Sequence, residues 1–322
     1  MIGSTPSKRD GSCPGGNQTF IVNTGISVFL TDKKGTIPLE ISFSAILRRE
    51  SGPPDSFEVI LAGEDIPPSM EGPGAHFRCL PLQKEEGWFG LLRRAAAVSR
   101  YEILAFTDSH CIVDKNWMSC IHDRLGQRQV VSGAVDHGNR FIERFSRMTT
   151  HGEFSALEGK IIANIFDGNF VIRKETLKSV LPALPLNPPV SDGAGALLLA
   201  RTLTARGIPV YHEPGIRVFH ESETFLPSLR MWFRVYGPNT LIARSLNPSL
   251  PGSRFMDFPR VAPLVFALGR WLSLTSKLLR KRRVYGMKAH EIVLSLAWLS
   301  VCMVSYGLGM MAYERKLKEE RK

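Results

Sequence analysis

The sequence predicts an α/β protein with a mostly parallel sheet flanked by helices, followed by C-terminal helices that associate with a membrane. Short apolar runs rich in β-formers alternate with helical segments from residue 26 onward, as is typical of a sheet covered on both faces. Near the other end, residues 292–313 carry no charged side chain, and about 20 such residues suffice for a helix to cross a hydrocarbon core. A composition of 43% hydrophobic and 22% charged residues excludes wholesale disorder.

The first half of the chain has a regular order of elements. Apolar runs predict strands at 26–31, 57–62, 76–82 and 102–108. Helical patterns cover 38–50 and 87–100. Because ligands gather beyond the carboxyl ends of such strands, the polar residues that follow the apolar runs define one rim. The rim residues are Asp32, Glu64, Asp65, Asp108 and His110.

The second half is less regular. A strand is expected at 129–136, helical stretches within 139–159, and a strand that enters a helix at 165–177. A further helix covers 191–207, and one or two short strands at 208–222 bear His212 and His220. These patterns predict a flexible N-terminal tail, one α/β domain and a membrane-associated helical region, with bounds 1–24, 25–245 and 246–322.

The cysteines and the N-terminus indicate a reducing compartment. Five cysteines are widely scattered without a CxxC pair, so neither a disulfide framework nor a thiolate zinc site is predicted. Residues 1–24 are rich in Gly, Ser, Pro and Asn and lack the apolar stretch of a signal peptide. We therefore expect the folded domain to lie in the cytosol.

The excess of basic residues is concentrated near the C-terminus. Lys and Arg outnumber Asp and Glu by 41 to 30, and residues 270–288 hold seven cations and no acid. Since this stretch lies between two apolar segments, it favours a phospholipid headgroup surface over nucleic acid as its partner. Residues 261–283 are expected in the membrane interface and 292–313 across the membrane. The alternative is a buried helical hairpin in a soluble protein.

An Asp-x-His triplet ends the strand at 102–108. Asp108 and His110 are two residues apart on an extended segment, so their side chains project from the same side and can share one ion. A carboxylate oxygen with an imidazole nitrogen suits manganese well and zinc nearly as well, whereas magnesium usually prefers oxygen. In the simpler alternative, both residues only cap the next helix.

The residues around this triplet carry a family resemblance. EILAFTDSHCIVDKNWM, at 102–118, resembles the strand, metal motif and following helix of glycosyltransferases with the GT-A fold. The likeness extends over residues 26–240 and is closest to the family 2 glycosyltransferases, while D-S-H-C is similar to the metal motif of polypeptide N-acetylgalactosaminyltransferases. The resemblance implies a GT-A (nucleotide-diphospho-sugar transferase) fold, a UDP-sugar donor, and Mn2+ or Mg2+ as cofactor.

Four further segments match the family pattern and imply contacts with the donor. EVILAGED resembles the uridine-contacting strand end, GWFGLLRRAA the G-x-x-x-A-R-N helix, DGNFVIRKETL the G-N-x-x-x-R-R segment, and SLRMWFRVYGPN the Arg-containing helix that follows. The donor-binding residues implied are Asp32, Glu64, Asp65, Gly87, Arg93, Asp108, Asn169, Arg230 and Arg234.

Residues 191–221 resemble the family stretch that begins with a Glu-Asp catalytic pair and ends in a His. Ser191 replaces the Glu, and Asp192 keeps the Asp position. The resemblance implies that Asp192 is the general base and that His220 joins Asp108 and His110 as a metal ligand. From the residues alone, the simpler explanation is that Asp192 is a helix-capping acid and His220 a structural histidine.

Together these features predict a membrane-associated, metal-dependent glycosyltransferase. It would move a sugar from a nucleotide-diphosphate donor to a lipid-linked or cell-envelope glycan acceptor, with inversion, and its catalytic domain would face the cytoplasm because nucleotide sugars are made there. The oligomeric state is left open. The alternatives are a metal-dependent hydrolase that uses Asp108, His110, His137 and His220, and a non-catalytic scaffold on a decayed glycosyltransferase fold.

Overall fold

A computed structural model of the 322-residue chain describes ten stretches of the sequence. They are residues 25–32, 38–48, 57–63, 77–83, 86–126, 128–138, 140–149, 160–186, 192–221 and 224–320. The predicted tail at 1–24 and the rim acids Glu64 and Asp65 lie outside the described residues.

The described chain folds into strands followed by helices in the alternating order that the sequence predicts. The strands are β1 (Ile26–Thr31), β2 (Phe57–Gly63), β3 (Phe77–Pro81), β4 (Ile103–Asp108), β5 (Cys111–Val113), β6 (Val130–Asp136), β7 (Ile161–Ile162), β8 (Asn169–Arg173) and β9 (Val210–His220). The helices are α1 (Leu39–Arg48), α2 (Gly87–Val98), α3 (Trp117–Leu125), α4 (Phe141–Thr149), α5 (Lys174–Val180), α6 (Asp192–Ala205), α7 (Phe225–Met231), α8 (Gly237–Leu246), α9 (Ala262–Lys281) and α10 (Ala289–Glu320). A π-helical turn, Trp232–Tyr236, joins α7 to α8.

All of these strands belong to one sheet, which confirms the predicted α/β class. The strand order is β3-β2-β1-β4-β8-β6-β9-β5. The short strand β7 pairs with β9 and stands outside this linear order. The first four strands are mutually parallel, as expected. The second half is mixed, because β8 runs antiparallel to both β4 and β6, whereas β6 and β9 are parallel. The sheet is therefore parallel in its first half and mixed in its second half.

Helices cover both faces of the sheet, so the central strands are apolar throughout. In β1, Phe29 packs with α2, α5 and α6, while Val28 and Leu30 pack with α1 and α3 on the other face. Phe106 stacks between Phe29 and Phe170, with ring centroids 5.1 Å and 4.5 Å away. Burial on both sides explains why these strands read as continuous apolar runs rather than alternating ones.

The segment at 208–222 forms one long strand, β9, where one or two short ones were expected. It pairs with β6 across a register shift at Gly133 and Ala134, and this irregularity lets a single strand bend while it stays paired. The short strands β5 and β7 were not predicted. Three and two residues, respectively, carry too little pattern, and both exist because β9 supplies their hydrogen-bond partners.

The C-terminal helices pack directly on the α/β part. A third apolar cluster joins Phe145 and Met148 of α4 with Trp232 and with side chains of α8, α9 and α10. Gly309 lets α10 approach the backbone of the π-helical turn closely, since a Cβ there would lie 2.0 Å from the carbonyl oxygen of Phe233. A salt bridge between Arg144 of α4 and Glu291 of α10 adds a polar link. The region after residue 245 thus shares a core with the part before it.

The outer faces of α9 and α10 are apolar and exposed. Along α9 these side chains are Leu264, Leu268, Leu272 and Leu279. Along α10 they are Val293, Leu294, Val301, Val304, Leu308 and Met311. Within the described residues, α10 is the one helix long and apolar enough to cross a membrane, with a mean hydropathy of 1.8 over its most apolar window.

Candidate functional site

The candidate site lies at the carboxyl ends of β1 and β4. The chain runs from β1 outward through β2 and β3 and then returns to the other side of β1 as β4, so the strand order reverses between β1 and β4. Crevices at such reversal points are where open α/β sheets bind ligands. Thr31 at the end of β1 is in register with Asp108 at the end of β4, and Asp32 follows directly.

Backbone hydrogen bonds fix Asp108 at this crevice. Its Oδ1 accepts a 3.1 Å hydrogen bond from the amide of His110, and the amide of Ser109 donates to the Thr31 carbonyl oxygen at 2.9 Å. The next element is the strand β5, and α3 begins only at Trp117 with Asn116 as its N-cap residue. The alternative that Asp108 and His110 cap the next helix is therefore wrong.

Strand pairing brings His220 beside the Asp-x-His triplet. Cys111 of β5 is paired with His220 at the end of β9, so His220 and His110 are neighbours across the two strands. The centroids of the two imidazole rings are 6.0 Å apart, and the ring planes differ by 20°. Asp108, His110 and His220, the three residues that the resemblance implies as metal ligands, all line one cavity.

A third histidine, His137, lies at the same place. It follows β6, lines the cavity, and has its ring centroid 5.5 Å from that of His220. Burial, followed by the charges of His220 and Arg147, lowers the pKa of His137 to about 3, so the imidazole is neutral at physiological pH. Sequence reasoning placed His137 only in the hydrolase alternative. Its position directly after the apolar strand β6, like that of Asp108 at the end of β4, is the signal that could have placed it on the rim.

Gly168 gives Asp108 the space it occupies. A Cβ at Gly168 would lie 2.8 Å from Oδ2 of Asp108, closer than real Cβ contacts, so any larger residue would displace the carboxylate. This requirement gives a physical reason for the glycine in the DGN segment.

The types of ligand atom at this end of the cavity are those that bind a divalent cation. One carboxylate with imidazole nitrogens is a set that manganese and zinc accept, and Gly168 leaves room for the carboxylate of Asp108 at the cavity. In the part of the chain that the structure describes, no three His, Cys, Asp or Glu side chains lie close enough together to hold an ion by themselves. A cation here would need further ligands, such as phosphate oxygens.

Asp192 is the first residue of α6, and the start of this helix reaches the cavity. Its two successors, Gly193 and Ala194, line the cavity wall together with Asp108 and His220. The predicted base and the predicted metal ligands thus come from elements that meet at one cavity.

Two residues expected to bind the donor have structural contacts instead. Asn169 is fully buried, its Nδ2 donates to the carbonyl oxygens of Ala134 and Ile216, and its Oδ1 accepts from Nε1 of Trp117. The guanidinium of Arg93 donates to three consecutive carbonyl oxygens, at residues 184–186. In the described structure neither side chain lines the cavity.

The remaining predicted donor residues lie at or outside the rim. Gly87 starts α2 with a φ of +57°, which explains the glycine by backbone conformation. Arg230 and Arg234 are exposed, while their neighbours Met231 and Val235 line the cavity. Asp32 is partly exposed at the end of β1 and accepts from Oγ of Ser109 at 3.5 Å.

The cavity extends well beyond the rim. Its volume is about 920 Å³, and from Asp108 it continues past α6 to α8, α9 and α10. The far wall contains Phe266 and Arg270 of α9 and Tyr306 of α10. A space of this size can hold a nucleotide-sized ligand together with part of a second molecule.

The fold and the site define an α/β protein with an acid-and-imidazole cavity at the reversal point of its sheet. No family model and no curated protein matches the chain. Among solved structures, the chain is similar to a crystal structure of GalNAc-T7 with UDP, GalNAc and Mn2+, with 13% sequence identity and a TM-score of 0.47. The match covers 62% of this chain and 44% of that one, so it spans less than half of the GalNAc-T7 chain.

Proposed function

We propose that this protein is a membrane-associated glycosyltransferase of the GT-A type. It transfers a sugar from a nucleotide-diphosphate donor, UDP-linked, to a lipid-linked or cell-envelope glycan acceptor, with inversion at the sugar. The observation that carries the proposal is the meeting of Asp108, His110, His220 and the start of α6 at one cavity on the ligand-binding edge of the sheet.

Asp108, His110 and His220 would supply the protein's ligands for the divalent cation, Mn2+ or Mg2+, together with the donor phosphate oxygens, because in the described structure the three side chains are not close enough together to hold an ion by themselves. Such an ion, when bound, neutralises the charge of the departing nucleoside diphosphate. The protein's own contribution is to fix the carboxylate of Asp108 through the His110 amide and to bring His220 to it through the β5–β9 pairing. His137 and Phe166 pack against the His220 ring and hold it at the cavity wall.

Asp192 is the proposed general base. An acceptor hydroxyl attacks the anomeric carbon, the bond to the diphosphate breaks, and the hydroxyl proton passes to the Asp192 carboxylate. A carboxylate is a weak base, so the rate gain must come mainly from holding the acceptor hydroxyl close to it. The adjacent Gly193 and Ala194 on the cavity wall support this position for the acceptor.

Helices α9 and α10 are the proposed membrane attachment. Their exposed leucine, valine and methionine side chains form faces that fit a lipid surface, and the cations of residues 270–288 fit anionic headgroups. The catalytic domain would then face the cytoplasm, with its cavity opening toward the bilayer.

Turnover of a panel of nucleotide sugars by the purified full chain with Mn2+ tests the proposal. We expect release of the nucleoside diphosphate from one donor, and a loss of about 100-fold or more in Asp108→Ala and in Asp192→Asn. Asp114→Asn is the matched control, because this acid follows β5 outside the cavity lining and should keep the wild-type rate. Wild-type turnover in both test variants, or no turnover with any donor, would contradict the proposal.

A further inference from the structure

Two arginines line the end of the cavity that lies away from Asp108. Arg244 projects from α8 and Arg270 from α9, and both belong to the cavity wall. Each guanidinium lies over an aromatic ring, Arg244 at 4.4 Å from the centroid of Phe266 and Arg270 at 5.4 Å from that of Trp232. Stacking on these rings holds the planar groups in defined orientations while their N–H edges remain available to a ligand.

Arg244 has donors to spare. Its Nε donates to the Pro251 carbonyl oxygen at 3.2 Å and its Nη1 to the Thr240 carbonyl oxygen at 3.1 Å. A guanidinium has five N–H groups, so within the described residues three of them have no protein acceptor. A charged, partly buried group with unused donors beside a cavity is suited to an anion from outside the protein.

The charge around the two arginines is not balanced by the protein. Among the described residues, neither Arg244 nor Arg270 forms a salt bridge with a carboxylate. Burial is the main cause that lowers the pKa of Arg244; Tyr306 opposes this effect, and the nearby charge of Arg270 adds to it. Two cations that disfavour each other gain most from an anion that binds between them.

The surroundings of the pair are apolar and face the exposed helix surfaces. Phe255, Val265 and Phe266 line the same end of the cavity. On the same helix as Arg270, Leu268 and Leu272 point outward and are exposed, at 55% and 54%. A ligand with its anion at the arginines can therefore carry an apolar chain toward the outer face of α9.

We propose that Arg244 and Arg270 form a subsite for the phosphate of an acceptor that carries an apolar chain. This inference rests on the proposed function in one respect, because only sugar transfer makes the bound ligand an acceptor. Paired guanidinium groups bind phosphate oxygens bidentately, and the remaining length of the cavity leads from this phosphate to the start of α6 and to Asp108.

Binding of a simple phosphate amphiphile to the full chain in neutral-lipid nanodiscs tests the subsite. The probe is decyl phosphate, compared with decanol and with inorganic phosphate, and the readout is the intrinsic fluorescence of tryptophan, since Trp232 lies under Arg270. We expect decyl phosphate to bind about 10-fold or more tightly than either comparison compound, because charge-assisted hydrogen bonds and the apolar chain are both required.

Three variants locate the binding. Arg244→Gln and Arg270→Gln should each weaken the binding of decyl phosphate about 10-fold or more. Gly269→Leu keeps both arginines and should block the site, because a Cβ at this cavity-lining glycine meets open space and a larger side chain can extend into it. Arg254→Gln is the matched control, since Arg254 also stacks on a phenylalanine, Phe255, but lies outside the cavity lining.

Several results would overturn the inference. One is an affinity for decanol, or for inorganic phosphate, that equals the affinity for decyl phosphate. Another is a loss of decyl phosphate binding in Arg254→Gln as large as the loss in Arg270→Gln. Melting temperatures of all variants exclude unfolding as the cause; Arg270 is exposed, so its replacement should leave the melting temperature unchanged. The assay uses neither donor nor metal, so failure of sugar transfer with intact decyl phosphate binding would count against the proposed function alone.

Discussion

Single residues at the cavity show how burial sets chemical character. Asp108 is only 2% exposed, and its carboxylate is positioned by a hydrogen bond from the His110 amide to one oxygen and by the space that Gly168 leaves beside the other. His137 is also buried, at 5% exposure, but it lies among groups that disfavour a positive charge. Burial therefore keeps the His137 ring neutral, and in this form it packs against the ring of His220.

The low pKa of His137 predicts that the folded protein becomes less stable as the pH is lowered. Its pKa is about 3 in the folded protein and about 6.5 when unfolded, so the unfolded chain binds the extra proton between these values and stability decreases as the pH drops below 6.5. His137→Gln removes the proton-binding group. When the pH drops from 7 to 5, we expect the unfolding free energy of the wild type to decrease by about 2 kcal/mol more than that of the variant. Urea unfolding at the two pH values measures this, and equal losses in both proteins would show that His137 does not stay neutral.

At the scale of elements, the site depends on contacts between segments that are far apart in the chain. β5 has only three residues, and its pairing with β9 is what sets His220 against His110. Asn169, at the start of β8, joins three other elements, because its amide bonds to β6, to β9 and to Trp117 of α3. The resemblance implied a donor contact for this residue, but its hydrogen bonds place it in the framework under the site.

Replacing Asn169 by alanine should therefore reduce stability rather than donor affinity. Two buried carbonyl oxygens and the Nε1 of Trp117 would lose their partner, and we expect a loss of about 2–4 kcal/mol in unfolding free energy. Asn247→Ala, where among the described residues the side chain bonds to nearby Ser249 alone, should cost less than about 1 kcal/mol. Urea unfolding measures both variants. A stable Asn169→Ala protein with weakened UDP binding would restore the donor-contact interpretation.

For the whole molecule, the C-terminal helices are part of the same packed body as the sheet. The cluster around Trp232 joins α4 and α8 to α9 and α10, and the cavity is closed partly by α9 and by Tyr306 of α10. Attachment to a membrane would therefore bring the cavity itself to the lipid surface. This geometry suits an acceptor that diffuses in the bilayer.

Negative charges introduced by mutation on the exposed face of α9 should release the protein from membranes without unfolding it. Leu268→Glu combined with Leu272→Glu places two carboxylates where we propose lipid contact, and both positions are more than half exposed. In co-flotation with anionic vesicles we expect a large loss of the bound fraction, with an unchanged melting temperature. Ser119→Glu, on the exposed face of α3, is the control and should float like the wild type. Equal flotation of all proteins would argue that α9 does not contact lipid.

The sequence by itself determined the α/β class, the Asp-x-His triplet at a strand end and the uncharged C-terminal helix, because each leaves a local pattern of burial. Only the tertiary structure decided that β8 runs antiparallel, that His137 joins His220, and that Asn169 and Arg93 bond within the protein. It also decided that Arg244 and Arg270 share the cavity with Asp108. These features depend on pairing and packing between distant segments, and periodicity within one segment carries no record of which partner it will meet.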